Sequence, residues 1–276
     1  MASFTKTWRS QAYEFISPTR PELTSEGKNI VITGGGTGIG KAIAIAFAEA
    51  GAKSVSIIGR SVEHLKASVS EISKAGNHTT VTYNVADLTV RPQTEAAIQS
   101  IVEQVGEIDV FVSNAASLVE PGAVVGYDPS ELQKGFELNV ITTSNALQAF
   151  TTNASSGATL INITTALTHM SPMPGVAAYA VSKAASLKLV DYFAAENPNF
   201  HVVHVHPGVV EAELNPSPGQ NDAQLPGRFS VWLASPEAKF PQNKLVWANW
   251  DAEELVSRAQ EIQDSSILTW KLDGYP

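Results

Sequence analysis

The chain has 276 residues, of which 43% are hydrophobic and 16% charged, so it suits one folded domain with a large core and excludes collagen-like, coiled-coil and disordered chains. Eighteen basic against 27 acidic residues leave a net charge of −9, so neither nucleic acid nor acidic lipid is an expected partner. The absence of cysteine excludes disulfides, thiol nucleophiles and cysteine-ligated zinc.

No apolar run approaches the roughly 18 residues of a membrane-spanning helix. The first sixteen residues carry polar groups every two or three positions and lack the apolar core of a secretion signal. We therefore expect a cytoplasmic protein without a membrane segment.

Residues 1–26 contain Pro18 and Pro21 and predict an N-terminal arm that packs on the domain or is partly mobile. From residue 27 onward, short apolar runs alternate with longer helical patterns. This alternation predicts an α/β fold, a Rossmann-like doubly wound parallel sheet of about seven strands in a single domain, 27–276. The predicted strands are 29–33, 54–58, 81–85, 110–113, 159–163, 202–206 and 244–247, and the predicted helices are 39–50, 62–75, 94–105, 130–153 and 177–197.

After the sixth strand the regularity is lost. Prolines and glycines interrupt an insertion at about 213–243, which also holds Phe229, Trp232 and Phe240. This segment is too apolar for a linker, and two interpretations stay open: a lid over a ligand, or a loop packed on its own core. Residues from about 251 to 276 predict a C-terminal extension with a polar helix and a tail.

A glycine-rich turn follows the first predicted strand. The sequence from Thr33 to Gly40 reads TGGGTGIG and runs into a helical pattern. Glycine permits positive φ angles and lets the backbone approach a pyrophosphate at a helix N-terminus. A merely structural tight corner is the alternative, but the position after the first strand of an alternating fold favours dinucleotide binding.

Arg60 stands just after the second predicted strand, where an NAD-specific protein usually places a carboxylate for the ribose hydroxyls. A guanidinium offers a planar fork to a phosphate dianion, which an acid would repel. Arg60, followed by Ser61, therefore favours NADP over NAD. A surface arginine without a ligand is the alternative.

Tyr179 and Lys183 are four residues apart in a helical stretch, so both lie on one helix face. This spacing alone arises often by chance. Its significance comes from its neighbours, because Thr164 and Thr165 close the fifth strand and Asn139 lies in the preceding helix.

Taken together, the motifs resemble those of the classical short-chain dehydrogenase/reductase family over roughly residues 27–212. They are TGGGTGIG, SNAA at 113–116, LNV at 138–140, the hydroxyl pair after NI at 162–163, YAVSK at 179–183 and PGVV at 207–210.

The resemblance implies an NADP(H)-dependent oxidoreductase that interconverts a carbonyl and an alcohol. Tyr179 would exchange a proton with the substrate oxygen, and the Lys183 ammonium would stabilise the phenolate and bond the nicotinamide ribose. Asn139 would hold a water in a proton relay to Lys183, and Thr165 would bond the substrate oxygen.

Cofactor contacts also follow from the resemblance. The glycine turn would cradle the phosphates, Asp87 and Leu88 would contact the adenine, Asn114 the ribose side and Val210 the carboxamide. The residues assigned to the cofactor are Gly34, Thr37, Gly38, Ile39, Gly40, Arg60, Ser61, Asp87, Leu88, Asn114, Tyr179, Lys183 and Val210.

Three positions depart from the family pattern. Thr165 replaces the usual serine, Ala116 replaces a glycine of the turn after the fourth strand, and Ala212 replaces a threonine that bonds the carboxamide. These departures keep a second hypothesis open: an NADP-binding scaffold without redox turnover, or a dehydratase or cyclase that uses the same pocket.

The expected partner is a small-molecule carbonyl or alcohol, apolar or aromatic because of the apolar 213–250 segment. The helices 130–153 and 177–197 correspond to those through which relatives form dimers and tetramers, so we expect a homodimer or homotetramer.

Several aromatic and histidine positions leave their roles open. His204 and His206 share a strand face, but their valine neighbours favour a structural strand over a metal site. His169 lines the substrate pocket or lies in a solvated loop. Trp247 and Trp250 cap the pocket or alter a subunit contact.

Overall fold

A computed structural model describes residues 3–211 and 219–272. Its centre is one seven-stranded parallel sheet with the order β3-β2-β1-β4-β5-β6-β7. The strands are β1 (Asn29–Thr33), β2 (Ser54–Gly59), β3 (Thr80–Val85), β4 (Ile108–Ser113), β5 (Ala154–Ile163), β6 (His201–His206) and β7 (Leu245–Trp247). The doubly wound α/β fold predicted from the sequence is confirmed.

Helices cover both faces of the sheet, which explains why all five residues of β1 are buried. The helices are α1 (Gly38–Glu49), α2 (Val62–Ala75), α3 (Arg91–Val105), α4 (Pro129–Phe136), α5 (Thr142–Thr151), α6 (Ala177–Glu196), α7 (Gln224–Leu233), α8 (Ala252–Ser257) and α9 (Ala259–Asp264). None of these helices has the length and hydropathy needed to cross a membrane.

The predicted helix 130–153 differs from the structure in one instructive way. A π-helical turn, Glu137–Ile141, separates α4 from α5. Such single π turns occur often at functional sites, and this one contains Asn139.

The apolar segment after β6 contributes to the core. In α7, Phe229 and Trp232 are fully buried, and a Cβ on Gly227 would lie 2.8 Å from the main-chain oxygen of Ala42 in α1. Residues 224–233 therefore pack tightly on α1, as the packed interpretation of this segment expects. Residues 213–218, the first part of the predicted insertion, lie outside the described residues, and so does Ala212 just before them.

From residue 3 onward, the N-terminal arm packs on the C-terminal part of the chain. Trp8 forms an antiparallel bridge with Trp250, and the Arg9 guanidinium lies 2.7 Å from the Asp251 carboxylate. The main-chain N–H of Ala252 donates to the Tyr13 hydroxyl at 2.7 Å. The arm thus lies beside the end of β7.

The sheet order reverses between β1 and β4, the first strands of its two halves. In open α/β sheets the crevice at this reversal, beyond the carboxyl ends of the strands, is where ligands bind. The glycine turn follows β1 and the SNAA turn follows β4, so both border that crevice.

Candidate active site

The glycine turn has a backbone that side chains would disrupt. Gly34 has a φ of +66° and Gly38 a φ of +51°, both in the left-handed region. A Cβ on Gly40 would lie 2.2 Å from the main-chain oxygen of Gly34, which no real contact allows. The glycines at these positions are therefore required by the turn itself.

Helix α1 begins directly from this turn. Thr37 precedes the first helical residue, and its side chain makes no capping hydrogen bond. The first N–H groups of a helix have no partner within the helix, so here they remain available to an anion. Their position and the helix dipole suit a phosphate group.

Asn114 fixes the turn from the neighbouring strand. Its Nδ2 donates to the main-chain oxygens of Thr33 at 2.9 Å and of Gly34 at 3.3 Å. The Thr33 hydroxyl accepts from the main-chain N–H groups of Asn114 and Ala115 at 2.9 and 3.0 Å. In this structure the Asn114 side chain stabilises the glycine turn. Its contact with the ribose, which the family resemblance implies, remains a proposal.

A cleft of about 540 Å³ opens above these elements. It brings together ten residues that the sequence assigned to the cofactor: Gly34, Thr37, Gly38, Ile39, Gly40, Arg60, Ser61, Asp87, Leu88 and Asn114. It is also lined by Gly36, Gly59, His64, Leu65, Ala86, Thr89, Ala115, Ala116, Ser117, Leu138 and Thr142, which the assignment missed. Of these, Thr89 directly follows the predicted Asp87–Leu88 pair, and Ala115 and Ala116 belong to the recognised SNAA turn.

Arg60 lies exposed in this cleft at the end of β2. It makes no ion pair within the described part of the chain. The pKa of the Asp87 carboxyl lies below its usual value, chiefly because the Thr89 hydroxyl and N–H donate to it and to a smaller extent because of the Arg60 charge. Ser61 caps α2 by accepting the His64 N–H at 3.3 Å, and its hydroxyl lies 3.3 Å from the Glu63 carboxylate.

Lys183 is buried behind the end of β5. Its side chain is 4% exposed, and Nζ donates to the main-chain oxygen of Ile163 at 2.8 Å.

Thr165 lies two residues beyond Ile163 and is 9% exposed. Its hydroxyl accepts the Leu167 N–H at 3.3 Å, so its own proton stays free to donate. The hydroxyl of the adjacent Thr164 is buried without a partner in the described residues.

Asn139 connects the π turn to the helix of Tyr179. Its Nδ2 donates to Ser182 Oγ and to the Ser117 carbonyl, both at 3.0 Å, and its Oδ1 accepts the Ser117 N–H at 2.8 Å. Its main-chain carbonyl accepts the Thr143 hydroxyl at 2.8 Å. Both Nδ2 protons are therefore used in protein contacts, whereas Oδ1 keeps a second lone pair, so the predicted water would have to donate to an Asn139 oxygen.

Tyr179 lies four residues before Lys183 on α6, and Ser182 Oγ donates to its main-chain oxygen at 2.9 Å. Burial raises the pKa of the Tyr179 phenol to about 12 and lowers the pKa of Lys183 to about 8. Burial therefore makes the phenol less acidic, against the expectation from the sequence, while Lys183 with a pKa of about 8 still carries its proton at neutral pH.

Ser182 and Ser117 are the hydrogen-bond partners of Asn139 that were not predicted from the sequence. Ser182 lies inside the YAVSK motif and joins Asn139 to the Tyr179 main chain. Its place in that motif could have identified it as a site residue. Ser117 follows SNAA by one residue.

Val210 lies apart from the cleft lining. It is 4% exposed and forms a parallel bridge with Asn221, whose Oδ1 accepts the Val209 N–H at 2.8 Å. The carboxamide contact remains a proposal for Val210. Ala212, the third departure from the family pattern, lies outside the described residues.

The strand histidines have protein partners. His204 Nδ1 lies 3.0 Å from Asn162 Nδ2, and His204 Nε2 lies 3.1 Å from the Asp191 carboxylate. His206 Nδ1 accepts the Ala166 N–H at 3.2 Å. Within residues 3–211 and 219–272, no three potential metal ligands gather.

Comparisons with known proteins identify the family of this chain. A family model described as short chain dehydrogenase matches residues 28–223. The short chain dehydrogenase/reductase AacuD of Aspergillus aculeatus is 32% identical over 275 residues, covering 96% of this chain and 95% of that protein. A dehydrogenase/reductase structure from Sinorhizobium meliloti superposes with a TM-score of 0.76 at 26% identity and covers 85% of this chain and 97% of that one. A short chain dehydrogenase from Burkholderia cenocepacia, solved in complex with NADP, has a TM-score of 0.74 at 24% identity, covering 83% and 99%.

Proposed function

The chain belongs to the short-chain dehydrogenase/reductase family, and from that premise we propose that it is an NADP(H)-dependent oxidoreductase that interconverts a carbonyl and an alcohol. The observation that carries the cofactor choice is Arg60, a guanidinium without an ion pair in the described chain, in the cleft that the α1 N-terminus borders. A 2′-phosphate would supply the dianion that this guanidinium lacks.

The residues present fit this cofactor. The uncapped first turn of α1 borders the cleft and suits the pyrophosphate. Arg60 and Ser61 would hold the 2′-phosphate, although the Glu63 carboxylate 3.3 Å from the Ser61 hydroxyl must turn away. The Burkholderia cenocepacia relative was itself solved with NADP. When bound, the reduced cofactor supplies the hydride that the carbonyl carbon receives.

Tyr179 supplies the proton in this proposal. A phenol with a pKa of about 12 is fully protonated at neutral pH, which is the form that donates to the substrate oxygen as it gains negative charge. An alkoxide is a stronger base than a phenolate, so the transfer is favourable. The protonated phenol is thus the form that carbonyl reduction requires.

Lys183 and Thr165 would orient the reacting groups. The Lys183 ammonium has two N–H groups beyond the one that Ile163 accepts, which suit the ribose hydroxyls and a proton relay. Thr165 keeps its hydroxyl proton free and would donate it to the substrate oxygen. Asn139 would act as a positioning residue, because its side chain joins the π turn to α6.

Apolar side chains at the carboxyl edge support an apolar or aromatic substrate. Leu118 follows β4, Met173 precedes α6 and Val209 follows β6, and they are 42%, 56% and 42% exposed. Large apolar side chains left in contact with solvent near one edge are typical of a binding surface for an apolar ligand.

We also propose that the protein forms a homodimer or homotetramer through α4, α5 and α6. Val181 and Tyr192 on α6 and Ile141 in the π turn are large side chains with 51%, 62% and 44% exposure. Light scattering of the purified protein should give a mass of two or four chains, and a single-chain mass would contradict this part of the proposal.

The function is tested by turnover of the purified protein with a panel of aromatic and aliphatic ketones and aldehydes. We expect the near-ultraviolet absorbance of NADPH to fall with at least one carbonyl compound, and NADH to be used far less efficiently. Tight NADPH binding with no consumption across the panel would instead support a non-redox NADP-binding protein.

A further inference from the structure

The turn that carries Thr165 is contacted by four side chains whose roles the proposed function leaves open. A short 3-10 turn, Ala166–Thr168, follows Thr165 directly. Thr168 and His169 come from the end of this turn, His206 from the end of β6 and Trp247 from the end of β7. We call Thr168, His169, His206 and Trp247 the Thr165 clamp.

Three of these residues form one hydrogen-bonded chain that ends at Thr165. Trp247 Nε1 donates to His169 Nε2 at 3.2 Å. His169 Nδ1 lies 3.2 Å from the Thr168 hydroxyl, which donates to the main-chain oxygen of Thr165 at 2.8 Å. The chain thus joins the last strand of the sheet to the residue proposed to bond the substrate.

The direction of every proton in this chain is determined. An indole N–H can only donate, so His169 Nε2 must accept and the proton of the neutral ring lies on Nδ1. Because a carbonyl can only accept, the Thr168 hydroxyl gives its proton to Thr165 and receives that of His169. A charged His169 would carry a proton on Nε2 as well, and that N–H would point at the indole N–H of Trp247. Burial lowers the pKa of His169, which favours the neutral ring.

His206 holds the same turn from the other side. Its Nδ1 accepts the Ala166 N–H at 3.2 Å, which fixes its proton on Nε2. Burial lowers the pKa of His206 to about 3, so the ring is neutral. Trp247 lies edge-on to His206 with ring centroids 4.6 Å apart, and therefore contacts both histidines.

We propose that the Thr165 clamp positions the Thr165 hydroxyl for the reaction and sets the rate of turnover, without taking part in cofactor binding. None of its four residues lines the 540 Å³ cleft, which collects ten of the thirteen assigned cofactor contacts. A displacement of about 1 Å at a reacting group can cost about 100-fold in rate, so a small movement of this turn has a large effect. The inference rests on the proposed function, since it concerns the rate of that reaction.

The first test removes one hydrogen bond and retains an aromatic ring. Trp247→Phe loses the indole N–H, and we expect kcat to fall about tenfold while the Kd of NADPH stays within twofold of wild type. Trp250→Phe is the matched control, because Trp250 stacks on Trp247 and loses the same atoms, but it makes none of the hydrogen bonds of the chain. We expect its kcat to stay within twofold.

The second test separates the hydroxyl from the shape of Thr168. Thr168→Val keeps the volume and removes the hydroxyl, so kcat should fall about tenfold with NADPH binding retained. Thr168→Ser keeps the hydroxyl and should restore most of the rate. Wild-type kcat in both Trp247→Phe and Thr168→Val would overturn the proposal, as would a parallel loss of NADPH binding.

Histidine nitrogen NMR distinguishes failure of this inference from failure of the proposed function. At neutral pH we expect His169 to carry its proton on Nδ1, and Trp247→Phe to shift the ring toward a mixture of both tautomers. That result supports the clamp even if no carbonyl compound in the panel is reduced. A wild-type His169 that is charged or protonated on Nε2 overturns the clamp whatever the turnover.

Discussion

Two turns at the carboxyl edge of the sheet are held in opposite ways. The turn after β1 can form because its glycines have no side chain, as at Gly40. A hydrogen bond from the Asn114 side chain, just after the neighbouring strand, stabilises it. The turn after β5 owes its position to bulky side chains, with Trp247 joined to His169 across 78 positions of the chain. The first leaves space for a cofactor, and the second fixes a reacting group.

This contrast predicts that the two turns control different quantities. Substitutions in the glycine turn and at the end of β2 should change cofactor affinity. Substitutions around Thr165 should change turnover while the cofactor still binds. A variant in the glycine turn that changed only turnover, or a variant around Thr165 that changed only cofactor affinity, would contradict this prediction.

The largest effect on affinity is expected for Gly40→Ala. The new Cβ would lie 2.2 Å from the main-chain oxygen of Gly34, so the turn must move. Overpacking costs up to about 3 kcal/mol, which corresponds to about 100-fold weaker NADPH binding. Calorimetry or fluorescence titration measures it. Gly135→Ala is the control, because its Cβ would meet Val119 at an ordinary 3.5 Å, and its NADPH binding should match wild type.

Arg60→Asp should weaken NADPH binding about 30-fold, since it replaces a charge-assisted contact with a repulsive one. NADH, which lacks the 2′-phosphate, should bind within a few-fold of wild type. Lys66→Asp makes the same charge change on the exposed side of α2, outside the cleft lining, and should leave both affinities near wild type. Equal weakening of NADPH and NADH by Arg60→Asp would refute the 2′-phosphate assignment.

On the turnover side, the pH dependence should follow Lys183. Burial lowers its pKa to about 8, so its proton is lost as the pH rises through that value. If the ammonium is needed, kcat for carbonyl reduction should fall about tenfold per pH unit above about 8. Lys183→Arg keeps its charge and should lose this alkaline decrease, although at a lower rate. A decrease that persists in Lys183→Arg would assign it to another group.

The smallest effect is expected for Trp8→Ala in the N-terminal arm. Trp8 lies edge-on to Trp247 with ring centroids 5.9 Å apart, and it is 46% exposed. Aromatic pairs contribute about 1 kcal/mol, of which a part would reach Thr165, so kcat should fall about twofold. Trp270→Ala removes a similarly exposed indole away from the clamp and should leave kcat unchanged.

Most of the fold was predictable from sequence because it is encoded locally. All seven strands were predicted from apolar runs, six of them within two residues of their observed starts, while β5 begins five residues earlier than predicted, at Ala154. Helix α7 was missed because Pro226 and Gly227 resemble loop residues. Pro226 is tolerated in the first turn, where no N–H bond is lost, and Gly227 permits close contact with α1.

The same distinction applies to the site. The glycine turn and the Tyr179–Lys183 pair are contiguous motifs, so the sequence predicted where they would lie. The π turn at Asn139 was hidden because apolar residues on both sides keep ordinary helical spacing. The contact of Trp247 with His169 depends on how β5, β6 and β7 align in the sheet, which no local pattern encodes.

The most direct test of the central claim is Tyr179→Phe, which removes one hydroxyl from a half-buried ring. With a carbonyl compound that the wild type reduces, we expect kcat to fall at least about 1000-fold, since proton donation of this kind contributes about 100- to 10,000-fold. The Kd of NADPH should stay within a few-fold. A variant that still consumes NADPH at the wild-type rate, or that no longer binds it, would contradict a phenol acting as the proton donor.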